Sequence, residues 1–454
     1  MLPLSYAAAA AAMFLAASYL ILRLRFYITT TTMFVGSLLL VYGPASLSFT
    51  LSSGDYGFLV RPWMSDVGMP SSMFPMMRAR VGDLDPIIAA VNFSLALMYL
   101  GIILGIEAIN RFFPALAAST DTTLGSWRTR SVENDARDDR LLLGVISALF
   151  LLMLFYSIKE NHIGTIEHFF SIKDDNTARN LFRAKFSGSP SYLYRVALGA
   201  VAPMFVIWGL LAGVFSRSWT LLVAVFMLFL ISMVGKIETL SKAPPAFFVV
   251  QIMLAGLLTR TNKVSWRTAV AGVAVLALVI YVTTRLIVIF PPGVSAITAV
   301  YSRVFEVENE TLVENFAVFP HLHPFMWGTN LRPIAMLMGV PYQPAFNIVG
   351  YIWYNSHDIT SPSLFIADAW ADFSYAGVIF FSILAGAICR ILDITFLSRG
   401  KSVANIAVLA ATSLGVLTLL TTALNIALFS GGLLLAPLLA GAIKLAVGRL
   451  NRAT

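Results

Sequence analysis

The chain has 454 residues, 58% of them hydrophobic and only 12% charged. A soluble domain carries about 25% charged residues, so this composition excludes a water-soluble globular protein. The net charge of +8 does not point to nucleic acid, because the basic residues cluster beside apolar runs, where positive-inside sorting places them. The single cysteine, Cys389, leaves no disulfide or thiolate metal site to consider.

Apolar runs of about twenty residues recur along the chain, the length that crosses a hydrocarbon core roughly 30 Å thick. Lipid-exposed backbone must satisfy its own hydrogen bonds, and the alternation of a β-barrel strand is absent. The expected fold is therefore all-α, a polytopic transmembrane bundle of about eleven spans. The spans fall near 4–22, 28–50, 87–108, 141–158, 196–215, 219–234, 245–259, 268–290, 373–391, 403–424 and 429–447. Residues 1–140 are expected to form N-terminal helices with one loop on each side, and 141–454 a catalytic core. The first apolar run precedes Arg23 and Arg25 and has no basic residue before it, the order of an uncleaved helix with its N-terminus outside.

The short connectors holding Arg23 and Arg25, Arg217, Arg260 with Lys263 and Arg267, Arg390 with Arg399 and Lys401, and Lys444 with Arg449 all fall on one side. Positive-inside sorting makes that side the cytoplasm. The other face then receives 51–86, two large, partly helical loops at 159–195 and 292–372, and the turn at 235–244. All five histidines, His162, His168, His321, His323 and His357, lie in these two large loops.

In the first large loop, Arg179 and Arg183 are spaced to share one helical face. Paired guanidinium groups suit phosphate oxygens, although lipid headgroups are an equally simple partner. The second loop contains Arg303, then HLHPFMWGTNLRP with His321, His323 and Arg332, then WYNSHDITSP with His357 and Asp358. Aromatic and amide side chains with a few charges suit a sugar-binding groove. His357 beside Asp358 offers a base for a hydroxyl, or an ordinary surface pair. His321-x-His323 is half of a metal site with no third ligand nearby in sequence, and no metal or other cofactor is expected. Arg285 lies near the outer end of the eighth span, where it either faces a cavity or snorkels to headgroups. Lys236 poses the same choice. Asp83 and Asp85 read as a helix start before Pro86, with a divalent cation as the alternative.

Three segments together resemble one family, the Wzy-type O-antigen (oligosaccharide repeat unit) polymerases, which are related to the O-antigen ligases. They are NTARNLFRAKFSGSPSYLYRV with the span after it, GKIETLSKAPPAFFVVQIML, and SPSLFIADAWADFSYAGVIFF, in that order over roughly residues 140–400. The resemblance implies a GT-C-like membrane glycosyltransferase in the bacterial inner membrane, with its active site facing the periplasm. Such an enzyme transfers a growing glycan from undecaprenyl diphosphate onto a second lipid-linked repeat without metal. Its partners would be the two lipid-linked glycans, membrane lipids, a chain-length regulator and a flippase. Arg179, Arg183, Arg285, Arg303, Lys236 and Arg332 would then surround diphosphate, and His357, His321, His323 or Asp358 would position or deprotonate the acceptor hydroxyl. Ligation to another acceptor, or transport of lipid-linked glycans, is the alternative activity.

Overall fold

A computed structural model describes residues 1–55, 72–134, 139–160, 162–171, 192–238, 243–265, 301–355 and 361–453, with isolated residues at 270, 272, 274 and 278. In chain order its helices are α1 (Leu2–Leu22), α2 (Thr30–Tyr42), α3 (Pro44–Leu51), α4 (Phe74–Val81), α5 (Asp85–Phe112), α6 (Pro114–Gly125), α7 (Asp139–Lys159) and α8 (His162–Ser171). Then come α9 (Tyr192–Val196), α10 (Ala202–Ser216), α11 (Trp219–Glu238) and α12 (Ala243–Arg260). The remainder is α13 (Glu308–Val318), α14 (Arg332–Leu337), α15 (Ala345–Tyr354), α16 (Phe365–Leu397), α17 (Val403–Leu419), α18 (Leu424–Phe429) and α19 (Leu435–Ala453). Wider π-helical turns, Ala197–Val201 and Ser302–Val307, lead into α10 and α13. Among the described residues the only β-type pairings are two isolated bridges.

Among the described residues seven helices are long and apolar enough to cross a bilayer: Leu2–Leu22, Thr30–Leu51, Asp85–Phe112, Arg140–Lys159, Leu193–Ser216, Trp219–Lys236 and Phe365–Leu397. Pro244–Leu258 and Val403–Leu419 are shorter apolar helices. Ten of the eleven expected spans therefore coincide with a described helix or helix pair, and the span expected at 268–290 lies almost wholly outside the described residues. The second span is two helices, because Pro44 has no N–H to continue the ladder and Gly43 supplies the break.

The bundle is organised by α5 and α16, which run parallel and pack more extensively than any other pair among the described helices. Their approach depends on small residues. A Cβ on Gly101 would lie 2.9 Å from Ser382 Cβ. One on Gly105 would collide with the Ile383 carbonyl, and one on Gly386 with the Ile102 carbonyl. This is the small-residue contact by which helices associate in lipid, where apolar surface gives no drive of its own.

At one end of the bundle, Arg390 Nε donates to Asn110 at 2.7 Å and its guanidinium lies 3.9 Å from Asp121. Arg23 reaches Glu107 and Asp121 at 3.6 and 3.8 Å, and Lys401 donates to the carbonyls of Trp127 and Arg130. Arg23, Arg390 and Lys401 thus meet around the 110–130 segment, in agreement with a shared side for their connectors. Here too Asp393 accepts from Thr30 N and Thr31 N at 2.8 and 3.0 Å, closing the N-terminus of α2 with a carboxylate from α16. Asp393→Ala leaves these two buried donors unpaired and is expected to cost about 3 kcal/mol, measured as a lower unfolding temperature in detergent.

The opposite end departs from its expected form. The segment 301–355 is mostly helical, and every residue of α13 is buried. α16 begins at Phe365, eight residues before the expected start at 373, and kinks at Phe373 and Ser374. Much of the stretch expected as a partly helical loop is therefore packed into the end of the bundle. Asp83 accepts from Asp85 N at 3.0 Å, which is the helix-start role.

Candidate functional site

The polar centre of the opposite end is α13 with the π-helical turn before it, where the acids Glu306, Glu310 and Glu314 recur at four-residue intervals along the helical run. All three are buried, and so is Glu308. A buried carboxylate is tolerated only where donors meet it, and the neighbouring elements supply them. Glu310 Oε1 accepts from Ser72 Oγ at 3.0 Å and from Met73 N at 2.5 Å, at the start of α4. Glu314 Oε1 accepts from the Tyr354 hydroxyl at 2.9 Å, and its Oε2 accepts from Ser361 Oγ. Trp353 Nε1 donates to the Glu314 carbonyl at 3.3 Å, and Asn315 Nδ2 donates to the Ser361 carbonyl at 3.4 Å. Helix α15 and the chain at Ser361 thereby hold α13 from two sides.

Burial pushes the Glu314 carboxyl up to about 7; its bonds from Ser361 and Tyr354 pull the other way, and the charge of Glu310 adds to the rise. Glu308 is raised to about 7 by burial, against the pull of Arg303. The Tyr354 phenol is raised by burial first and then by Glu314, so it remains a proton donor at neutral pH. Tyr354 is 37% exposed, whereas Glu314 is wholly buried. The pair therefore connects the surface to a carboxyl poised to gain or lose a proton near neutrality.

Arg303 lies within electrostatic reach of Tyr354. Its guanidinium is 3.4 Å from Glu308, is half exposed, and is close enough to Tyr354 to lower that phenol's pKa. Arg80 caps the other flank, with its guanidinium 5.6 Å over the Trp353 ring and bonded to the Ile352 carbonyl.

His321 and His323 occupy the turn after α13, where Leu322 N and His323 N both donate to the Val318 carbonyl. His323 Nδ1 is 2.8 Å from the Pro324 carbonyl, and its ring meets Phe319 edge-on at 5.3 Å. The helical run Ser302–Val318 separates these histidines from Arg303 by about 20 Å at the usual rise per residue. An aromatic chain continues from the turn: Phe316 stacks on Trp370 at 4.4 Å, and Phe325 and Tyr375 meet Trp370 edge-on at 5.7 and 4.9 Å.

Arg332 is exposed at the start of α14. It acts with Asp368 on Tyr342, whose phenol is raised by burial and by Asp368 and lowered by Arg332. Asp368 accepts from Asn330 Nδ2 at 2.8 Å, and Asp372 accepts from Gly328 N at 2.9 Å. Lys236 is buried near the end of α11, 5.2 Å over the Phe248 ring. Arg179, Arg183, Arg285, His357 and Asp358 lie outside the described residues. His357 and Asp358 are nevertheless bracketed in sequence by Tyr354 and Ser361, the two donors to Glu314. No group of three or more His, Cys, Asp or Glu side chains that could hold a metal occurs among the described residues.

Glu308, Glu310, Glu314, Tyr354 and Arg80 were not singled out from the sequence. The available signal was the four-residue interval of acids in VFEVENETLVENF, which is a helical period and not that of a loop. The fold and site define a class: an all-helical protein with, among the described residues, seven helices long and apolar enough to span a membrane and a buried acidic helix at one end of the bundle. Compared with protein-family models, curated proteins and solved structures, the chain matches none.

Proposed function

We propose that the protein is a membrane glycosyltransferase that joins undecaprenyl-diphosphate-linked oligosaccharide repeat units at the periplasmic face of the bacterial inner membrane. The observation that carries this reading is the Tyr354–Glu314 pair, a half-exposed phenol bonded to a fully buried carboxyl raised to about 7. The exposed ring of Tyr375, held by Trp370 in the aromatic chain beside it, offers a face to a sugar ring, and the apolar helices around it suit a substrate with an isoprenoid tail.

In the proposed step an acceptor sugar hydroxyl attacks the anomeric carbon of the donor glycan. Its proton passes to Tyr354 Oη while the Tyr354 proton moves to Glu314 Oε1. The bond from the anomeric carbon to the diphosphate oxygen breaks, and undecaprenyl diphosphate leaves with the electron pair. Arg303 stabilises the charge that develops on it, with Arg179, Arg183, Arg285, Lys236 and Arg332 as the further cations proposed for the two diphosphates. His357, His321, His323 and Asp358 are proposed to orient the acceptor glycan.

Arg303→Ala is expected to slow transfer roughly tenfold to a hundredfold, at or below the lower end of what loss of one preorganised donor costs, because the guanidinium is half exposed. Initial rates on a lipid-linked repeat in detergent measure this. The activity itself is tested by deleting the gene in its host. Polymerase loss leaves lipopolysaccharide bearing a single repeat. Bare core with polymer stranded on undecaprenyl diphosphate would instead make the protein a ligase.

A further inference from the structure

The segment around α14 projects an apolar tip from the end of the bundle that holds Glu314. Met336, Leu337 and Met338 are 71%, 87% and 56% exposed, and Val340 and Tyr342 about 40%. Trp327, at the foot of the tip, is 66% exposed. Arg332 is the only charged residue between Pro324 and Phe346. Leaving this much contiguous apolar surface in water is unfavourable, and a patch of this kind marks a contact site.

Its depth says what covers it. Met326 N and Trp327 N donate to the carbonyls of Ala371 and Asp372 at 2.8 and 3.1 Å, which fixes the foot of the tip to α16. The backbone at Gly328 packs against Ile334 and Phe373, which fixes α14 at the same level. From Tyr375, just past the kink, to Arg390, which sits in the charged cluster at the other end, α16 runs about 22 Å at its helical rise. That is within the roughly 30 Å of a hydrocarbon core, so the foot of the tip, joined to α16 at the kink, stands no higher than the bilayer interface. The composition agrees. Tryptophan, tyrosine and a single arginine around a Met/Leu cluster are the residues that settle between headgroups and acyl chains. Phe380 and Leu384, further along α16, are exposed apolar side chains as well, 62% and 37% exposed.

We propose that residues 332–342 form an interfacial anchor that inserts into the bilayer leaflet beside the acidic helix, with lipid acyl chains and headgroups as its partner. The inference rests on the membrane-spanning character of the bundle and not on the glycosyltransferase reading. α14 ends on Gly339 at φ +66 with Val340 N donating to the Ala335 carbonyl, so its last turn is closed by the backbone and needs no protein partner to form.

Cys389 is the only cysteine and is fully buried, so an introduced cysteine takes a maleimide dye selectively. Leu337→Cys carrying the environment-sensitive dye NBD is placed in nanodiscs of phosphatidylcholine and phosphatidylglycerol. The expected result is blue-shifted emission relative to the same dye at Arg128→Cys, with at least twofold quenching by lipids brominated near the headgroup and little by aqueous iodide. Iodide quenching equal to that at position 128 would mean the tip stands in water and would overturn the proposal. Protection from both quenchers would mean it is covered by protein, which also overturns it; energy transfer between labelled copies would then identify a second chain as the cover. Met336→Cys repeats the measurement should Leu337→Cys fail to insert.

Discussion

Glu314→Gln is expected to reduce glycan transfer by roughly 10²–10⁴-fold, the range for losing a positioned proton acceptor, while the protein still folds. Glutamine keeps the shape and one acceptor oxygen for Tyr354 or Ser361 but cannot take a proton. Tyr354→Phe breaks the same path one atom earlier and is expected to slow transfer by a comparable factor. The pH profile separates this role from a structural one. Transfer needs Glu314 ionised, so activity of the native protein should rise through pH about 7, and the residual activity of Glu314→Gln should lose that rise. Stability should move the other way. The carboxyl titrates near 4.5 when unfolded and near 7 when folded. The folded state thus holds the proton more tightly, and the stability this adds is complete below pH 4.5 and lost as pH climbs through 7. Unfolding temperatures across this window should fall more steeply for the native protein than for Glu314→Gln. Equal slopes, with an unchanged pH–rate profile, would remove Glu314 from the proton path.

Gly105→Leu is expected to prevent α5 and α16 from packing and to abolish recovery of folded protein. Even Gly105→Ala places a methyl into the Ile383 carbonyl and against Ala387 N at 2.9 Å. Backbone cannot rotate aside as a flexible side chain does, so the helices must separate, at a cost of about 3 kcal/mol or more. Gly36→Ala and Gly144→Ala, where an added Cβ meets nothing within 4 Å, serve as matched controls and should leave stability unchanged or slightly improved. Thermal unfolding followed by size-exclusion chromatography in detergent reads all of these. Native-like unfolding of Gly105→Leu would show that the close contact does not hold the bundle together.

The apolar frame was legible because period and length are read directly from composition. The run 87–108 became Asp85–Phe112 and 219–234 became Trp219–Glu238, the first closed by Pro114 and the second by the polar turn after Glu238. The cation-bearing connectors also announced a common side, and Arg23, Arg390 and Lys401 do meet there. Sequence reasoning failed where polar residues are buried. FIADAWAD reads as a loop because two aspartates interrupt it, yet Asn330 Nδ2 and Gly328 N satisfy Asp368 and Asp372 and the segment is helical up to the kink at Phe373. ENETLVEN falls in the stretch expected as a partly helical loop, and nothing in it marks the acids as buried. Its acids are buried only because Ser72, Met73 N, Ser361 and Tyr354 arrive from elements tens of residues distant, and no local pattern reveals such partners. Charge drew attention to cations suited to diphosphate, while the titratable centre among the described residues is made of carboxylates that local sequence disguised as surface.

The central claim is tested most directly by supplying the purified protein, in nanodiscs, with a fluorescent undecaprenyl-diphosphate-linked repeat unit from its host. The account predicts a ladder of lipid-linked oligomers growing by whole repeats, with release of undecaprenyl diphosphate and loss of the ladder in Glu314→Gln. Recovery of the single repeat alone, from folded protein across pH 6–9 and with the host's own acceptor present, would contradict it.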